Sequence, residues 1–110
     1  MGAFAKGDIV LFPFPFTDLR DRKLRPCLVM SEEMGQDILL CQITSRNLKK
    51  DKYCIEVPKE STLDGSLHID SYVRANKLFT AETAMILRKI CKLDKKRYQR
   101  VVKTVNETIK

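Results

Sequence analysis

The sequence has one histidine, His68, and no tryptophan. A single histidine excludes acid–base catalysis by a pair of imidazoles within one subunit. His68 sits between Leu67 and Ile69 and reads as structural or incidental. The four cysteines, Cys27, Cys41, Cys54 and Cys91, never fall within ten residues of one another, so there is no CxxC unit and no zinc-finger spacing. Each has an apolar neighbour (Leu28, Leu40, Ile55 and Ile90), and they read as small buried hydrophobes in a reducing compartment rather than as a disulfide framework. HExxH, GxGxxG and Walker A patterns are missing, and the carboxylates are scattered, so neither a metal nor a cofactor is expected. No apolar run approaches the ~18 residues of a membrane-spanning helix. Met1 to Lys6 lacks the apolar stretch of a secretory signal. The expectation is a cytoplasmic protein with no membrane partner.

What is present is an ordinary globular composition. The 110 residues, 44% apolar and 32% charged, suit one domain over 1–110 with a single modest core. The net charge of +7 is unevenly placed. Residues 88–110 hold nine basic and two acidic groups, which equals the whole excess. A basic chain suggests an anionic partner such as nucleic acid. A solvated helix face accounts for the same composition equally well.

Short apolar runs at intervals of 10–15 residues predict strands. Ile9 to Phe12 forms a first strand, interrupted by Pro13 and Pro15, which cannot donate ladder hydrogen bonds. The polar stretch from Thr17 to Lys23 reads as an exposed loop. Arg25 and Pro26 open a second strand, Cys27 to Met30, and a turn around Gly35 follows. Ile38 to Thr44 is a third, central strand; Tyr53 to Val57 is a fourth, ended by Pro58; Ser71 to Ala75 is a fifth. Thr80 to Thr83 has the composition of a helical-turn cap. Met85 to Ile90 fits either strand or helix, with a last strand preferred. Beyond Leu93, Asp94 is a good N-cap, and Tyr98, Val101, Val102, Val105 and Ile109 fall on one apolar helical stripe, largely apart from Lys95, Lys96, Arg97, Arg100 and Lys103. Short strands followed by one helix suggest a small barrel.

Four segments, in order, carry a resemblance: Gly7-Asp8-Ile9-Val10; Arg25-Pro26-Cys27-Leu28-Val29-Met30-Ser31; Ile43-Thr44-Ser45; and Asp70-Ser71-Tyr72-Val73 continuing to Leu78-Phe79-Thr80. Together with Ile90 to Asp94 and the helix, they resemble the MazF/PemK family of toxin ribonucleases from bacterial toxin–antitoxin pairs. Phe12-Pro13-Phe14-Pro15-Phe16 is similar to a PemK-like branch. The resemblance implies a mainly β, SH3-like (CcdB/MazF-type) barrel with a C-terminal helix, acting as a homodimer. It implies metal-independent cleavage of single-stranded RNA to a 2′,3′-cyclic phosphate and a 5′-hydroxyl. It also implies a cognate antitoxin whose disordered segment carries acidic and apolar residues. On the matching positions, Arg25 and Thr44 are the catalytic residues. The resemblance implies that Pro26, Ser45 and the loop residues Asp18, Arg20, Arg22 and Lys23 are substrate contacts, the loop covering RNA or contacting antitoxin. The loop departs from better-known relatives, which carry an acidic residue and glycines where this chain has Arg20-Asp21-Arg22-Lys23.

The chemistry suits these residue types. Attack of a ribose 2′-hydroxyl on the adjacent phosphate builds charge on the phosphorane oxygens. A guanidinium offers a rigid fork of donors matched to them, and preorganised electrostatics is often the largest catalytic effect. A Thr44 hydroxyl can hydrogen-bond the phosphate or a proton-transfer partner. Arginine is a poor base at its ordinary pKa, so the proton acceptor stays open between a perturbed Arg25, a second group and water. Each residue also has a plain reading. Arg25 fits a surface ion pair, Thr44 a strand end that bonds back to its backbone, and Thr17 to Lys23 a solvated connector. Phe14 and Phe16 fit packing beneath the loop or stacking on bases; Tyr72 and Tyr98 fit core or interface positions. Two other functions share the barrel: a gyrase-directed toxin of the CcdB type, though residues 105–110 carry no tryptophan, and a basic RNA-binding module without activity.

Overall fold

The computed structural model describes residues 3–15 and 22–110. Six antiparallel strands form one sheet: β1 Asp8–Pro15, β2 Arg22–Val29, β3 Asp37–Thr44, β4 Cys54–Val57, β5 Ser71–Glu82 and β6 Arg88–Lys92. Their order is β4-β5-β3-β2-β1-β6. One helix, α1 Lys95–Ile109, follows. The sheet curls until its edges meet. Leu63, after β4, exchanges backbone hydrogen bonds of 2.8 and 2.7 Å with Lys92 of β6. Gly65 allows this approach: its φ is +137°, and a Cβ there would collide with the Ile90 carbonyl.

β1, β2 and β3 carry core residues on both faces. One cluster joins Ile9, Leu28, Cys41, Ile43, Val57, Val73 and Cys91 to Val101 and Val105 of α1. The other joins Val10, Phe12, Cys27, Val29, Ile38, Leu40 and Ala81, with Phe14 and Phe79 packed against it. Adjacent residues such as Ile9 and Val10 thus enter different clusters, as side chains of a strand must. This explains the near-continuous apolar run of β3. Phe14 belongs to an aromatic group with Phe12 and Phe79, at centroid distances of 5.3–5.5 Å. Its role is packing; Phe16 lies outside the described residues.

Several sequence expectations need correction. β1 runs through Pro13 and Pro15 rather than stopping at Phe12. The Leu11 carbonyl accepts the Leu87 amide, so odd-numbered residues of β1 turn their backbone polar groups toward β6. Pro13 and Pro15 share that parity and lie beyond the last β6 pair, Leu11 with Arg88. Their missing donors face an edge, where nothing is lost. β2 begins at Arg22, so the last two residues of the expected loop are strand. β5 continues to Glu82, and the helical turn is a single 3₁₀ turn at Thr83–Met85. β6 starts three residues later than the apolar run suggested. In α1, Val101 and Val105 are buried, but Ile109 is 73% exposed and leaves the stripe. Asp94 caps the helix as expected, accepting the Arg97 amide at 3.1 Å. No helix among the described residues is long and apolar enough to cross a membrane.

Candidate active site

The site begins with a missing hydrogen bond. β2 and β3 pair at Val29–Leu40, Leu28–Cys41 and Cys27–Gln42, and the pairing ends there. Continued by two residues, this register would set Pro26 opposite Ile43 and Arg25 opposite Thr44. The Met30 amide donates to the Leu39 carbonyl at 2.8 Å, so even-numbered residues near the end of β2 face β3. Pro26 has that parity and has no N–H to give the Ile43 carbonyl. On its other side, β3 shifts register at Gln42, and Ile43 and Thr44 stay paired with Val73 and Tyr72 of β5. The two strands part, and a cleft of about 310 Å³ opens between them.

Arg25, Pro26 and Lys23 of β2 line one wall, and Ile43, Thr44 and Ser45 line the opposite one. Leu67, Ile69 and Ser71, leading into β5, complete it. Both expected catalytic residues therefore border one cleft, as do Pro26, Ser45 and Lys23. The backbone of Arg22 is in β2, but its side chain lies outside the described residues, as do Asp18 and Arg20 entirely. Thr44 is buried, and its Oγ1 accepts the Arg46 amide at 3.2 Å. A hydroxyl is one donor and a double acceptor, so this bond fixes the rotor and leaves the O–H to donate. Arg25 is half-buried and Ser45 exposed. Among the described residues, two cations line the cleft and none of the lining side chains is a carboxylate or imidazole. These residue types, two cations and hydroxyls at Thr44, Ser45 and Ser71, are the kind that can hold a phosphodiester.

The sequence pointed to neither Ile69 nor Ser71 as part of this wall. Ser71 is buried and donates to the Ile69 carbonyl at 2.9 Å, which shapes the turn entering β5. The only signal was its place in the Asp70-Ser71-Tyr72-Val73 segment. His68 is exposed with φ +68°, outside the cleft lining. Cysteine chemistry has little scope. Burial, with Cys41 nearby, pushes the Cys27 thiol far above its ordinary value. Burial, with Cys54 nearby, pushes Cys41 up to about 12. Neither supplies thiolate near neutral pH. All four cysteines are free. Among the described residues, no three His, Cys, Asp or Glu side chains are grouped to hold a metal ion. Tyr72 donates to Asn47 Oδ1 at 3.2 Å, and Tyr98 is half-buried with its hydroxyl 3.4 Å from the Met30 carbonyl.

Comparison with known families matches residues 5–109 to the family described as PemK-like, MazF-like toxin of type II toxin–antitoxin system. Among solved structures, a MazE–MazF complex from Deinococcus radiodurans aligns with TM-score 0.76 at 16% identity, covering 94% of each chain. An endoribonuclease in complex with its cognate antitoxin, from a mycobacterial species, aligns with TM-score 0.74 at 12% identity, covering 99% of this chain and 95% of that one. The Mycobacterium tuberculosis toxin MazF-mt6 aligns with TM-score 0.70 at 17% identity, covering 93% and 95%. Sequence comparison with curated proteins gives no significant match. The structural likenesses establish a shared MazF-type barrel.

Proposed function

Since the chain belongs to the PemK-like, MazF-like toxin family of type II toxin–antitoxin systems, we propose that it is an endoribonuclease cleaving single-stranded RNA in the cleft between β2 and β3. The observation that carries this is the parting of the strands at Pro26, with Arg25 and Thr44 lining the one cleft that opens there. A phosphodiester held there meets the guanidinium of Arg25 on its nonbridging oxygens and the O–H of Thr44 beside it. Lys23 adds a second positive charge, and Ser45 and Pro26 border the strand as it enters. The 2′-hydroxyl gives up its proton as its oxygen bonds to phosphorus, the P–O5′ bond breaks, and the leaving 5′-oxygen takes up a proton, a net transfer of one proton between the two oxygens. The products are a 2′,3′-cyclic phosphate and a 5′-hydroxyl, and no metal takes part. The same cleft accepts an acidic antitoxin segment, which excludes RNA, and the active form is a homodimer in the cytoplasm.

The test is incubation of purified protein with a long single-stranded RNA in EDTA. Wild type is expected to cleave. Arg25→Ala is expected to lose about 10²–10³-fold, the usual cost of one oxyanion-type donor. Intact RNA with wild type, or equal cleavage by Arg25→Ala, would sink the proposal. Trapped DNA breaks in a topoisomerase assay without RNA loss would point to a gyrase-directed toxin instead.

A further inference from the structure

Helix α1 sends Val101 and Val105 into the core and turns Lys95, Lys96, Gln99, Arg100, Lys103 and Asn106 to solvent. Arg97 is paired with Asp94, and Lys89 with Asp8 and Asp64. Among the described residues, no carboxylate lies within ion-pairing distance of Lys95, Lys96, Arg100 or Lys103. Glu107 is the only acid in the helix. Lys96, Arg100 and Lys103 climb the exposed side with rises of about 6 and 4.5 Å, at 1.5 Å per residue. They form a line of unneutralised charge rather than a scattered patch.

Beside this ridge runs a groove of about 480 Å³ between α1 and the end of β2. Met30, Tyr98 and Val102 give it apolar walls, and Lys6, Lys95 and Gln99 give it polar ones. Its far side is Met30, just past the end of β2 and five residues beyond Arg25, or about 17 Å along an extended chain. The groove is thus a place apart from the cleft.

We infer that the α1 ridge and its groove form a second binding surface for single-stranded RNA, docking the chain of a long substrate away from the cleft. A linear run of cations matches a polyphosphate backbone. An apolar groove with an aromatic wall matches an unstacked base, the combination by which sequence-tolerant proteins hold single strands. A duplex would offer the ridge its phosphates but nothing to the groove. The inference rests on RNA being the substrate, and it adds a surface that the cleavage chemistry does not require.

The experiment measures binding of a long single-stranded 2′-O-methyl RNA, which lacks the attacking hydroxyl, across a salt series. The variants are the triple substitution Lys96→Glu, Arg100→Glu, Lys103→Glu and its neutral counterpart Lys96→Gln, Arg100→Gln, Lys103→Gln. Removing three phosphate contacts should make the slope of log affinity against log salt shallower by about 2 in both variants. Affinity at low salt should fall more than tenfold in the Glu variant and less in the Gln variant. With cleavable RNA, KM should rise for a long substrate while kcat/KM for a short oligonucleotide stays at the wild-type value. Unchanged affinity and slope would overturn the inference. So would equal losses on long and short substrates, or unchanged RNA binding with lost binding of an acidic peptide. Failure of the wild type to cleave RNA would instead strike the nuclease reading, because the binding series needs no cleavage.

Discussion

At Pro26 the β2–β3 ladder lacks one donor, and the strands separate there rather than at the end of either. Alanine restores an N–H and removes the ring. In Pro26→Ala the Ile43 carbonyl gains a partner across the gap, and the cleft narrows. Cleavage should fall about tenfold or more, since small displacements of positioning groups are costly. Stability should move little, because the added hydrogen bond, about 1 kcal/mol, is offset by the freer unfolded chain, about 0.4–1 kcal/mol. Parallel cleavage and thermal-melting measurements check this; wild-type activity would show that the cleft does not depend on the proline. At the same scale, Thr44 shows what the sequence made legible. Its position at the end of β3 is plain from the sequence, and the role proposed for it rests on resemblance to a family. That its oxygen is held by the Arg46 amide, with the O–H left to donate, needed the backbone turn that follows. Ile69 and Ser71 escaped notice because they reach the cleft by tertiary contact from a segment more than twenty residues beyond Thr44.

Among the elements, β3, β4 and α1 were readable because local pattern and tertiary role agree. β3 is apolar because both of its faces are covered, and α1 is amphipathic with an acidic cap. β1 and β5 were read too short. Prolines in β1 sit where only one neighbouring strand exists, and that is a property of the sheet. The second half of β5 pairs with β3 from Leu78 to Glu82, beyond a register shift that its composition does not announce. The cap of α1 gives a pH prediction. Burial pulls the Asp94 carboxyl upward, but the Arg97 side chain, its amide and its charge outweigh this and hold the carboxyl below its ordinary value. A lowered folded pKa means stability that is complete above the unfolded value of about 3.9 and lost as pH falls through the folded one. Asp94→Ala should cost about 1 kcal/mol at neutral pH. The gap between variant and wild type should shrink as pH drops below about 4. Denaturant melts at pH 7 and near pH 3 measure it; a constant gap would rule out the carboxylate as its source.

For the whole molecule, closure of the sheet depends on the Leu63–Lys92 bridge and on the bare backbone of Gly65 beneath it. Gly65→Ala adds a methyl against the Ile90 carbonyl at a positive φ. It should cost about 2–4 kcal/mol, lowering Tm by roughly 10 °C or more. Gly35 also has positive φ but nothing within 4 Å of a Cβ, so Gly35→Ala should cost only about 1 kcal/mol. Similar Tm values for the two variants would show that close approach, as distinct from backbone conformation, contributes nothing. The sheet order also sets when the barrel can close. β1 is first in the chain and its outer partner β6 is the last strand, with Asp8 against Lys92 and Ile9 against Cys91. Contacts of such long sequence separation form slowly. During synthesis the first strand therefore waits, with one side uncovered, until Lys92 has been made. The barrel that frames the cleft is completed only once the last of its described strands has been translated.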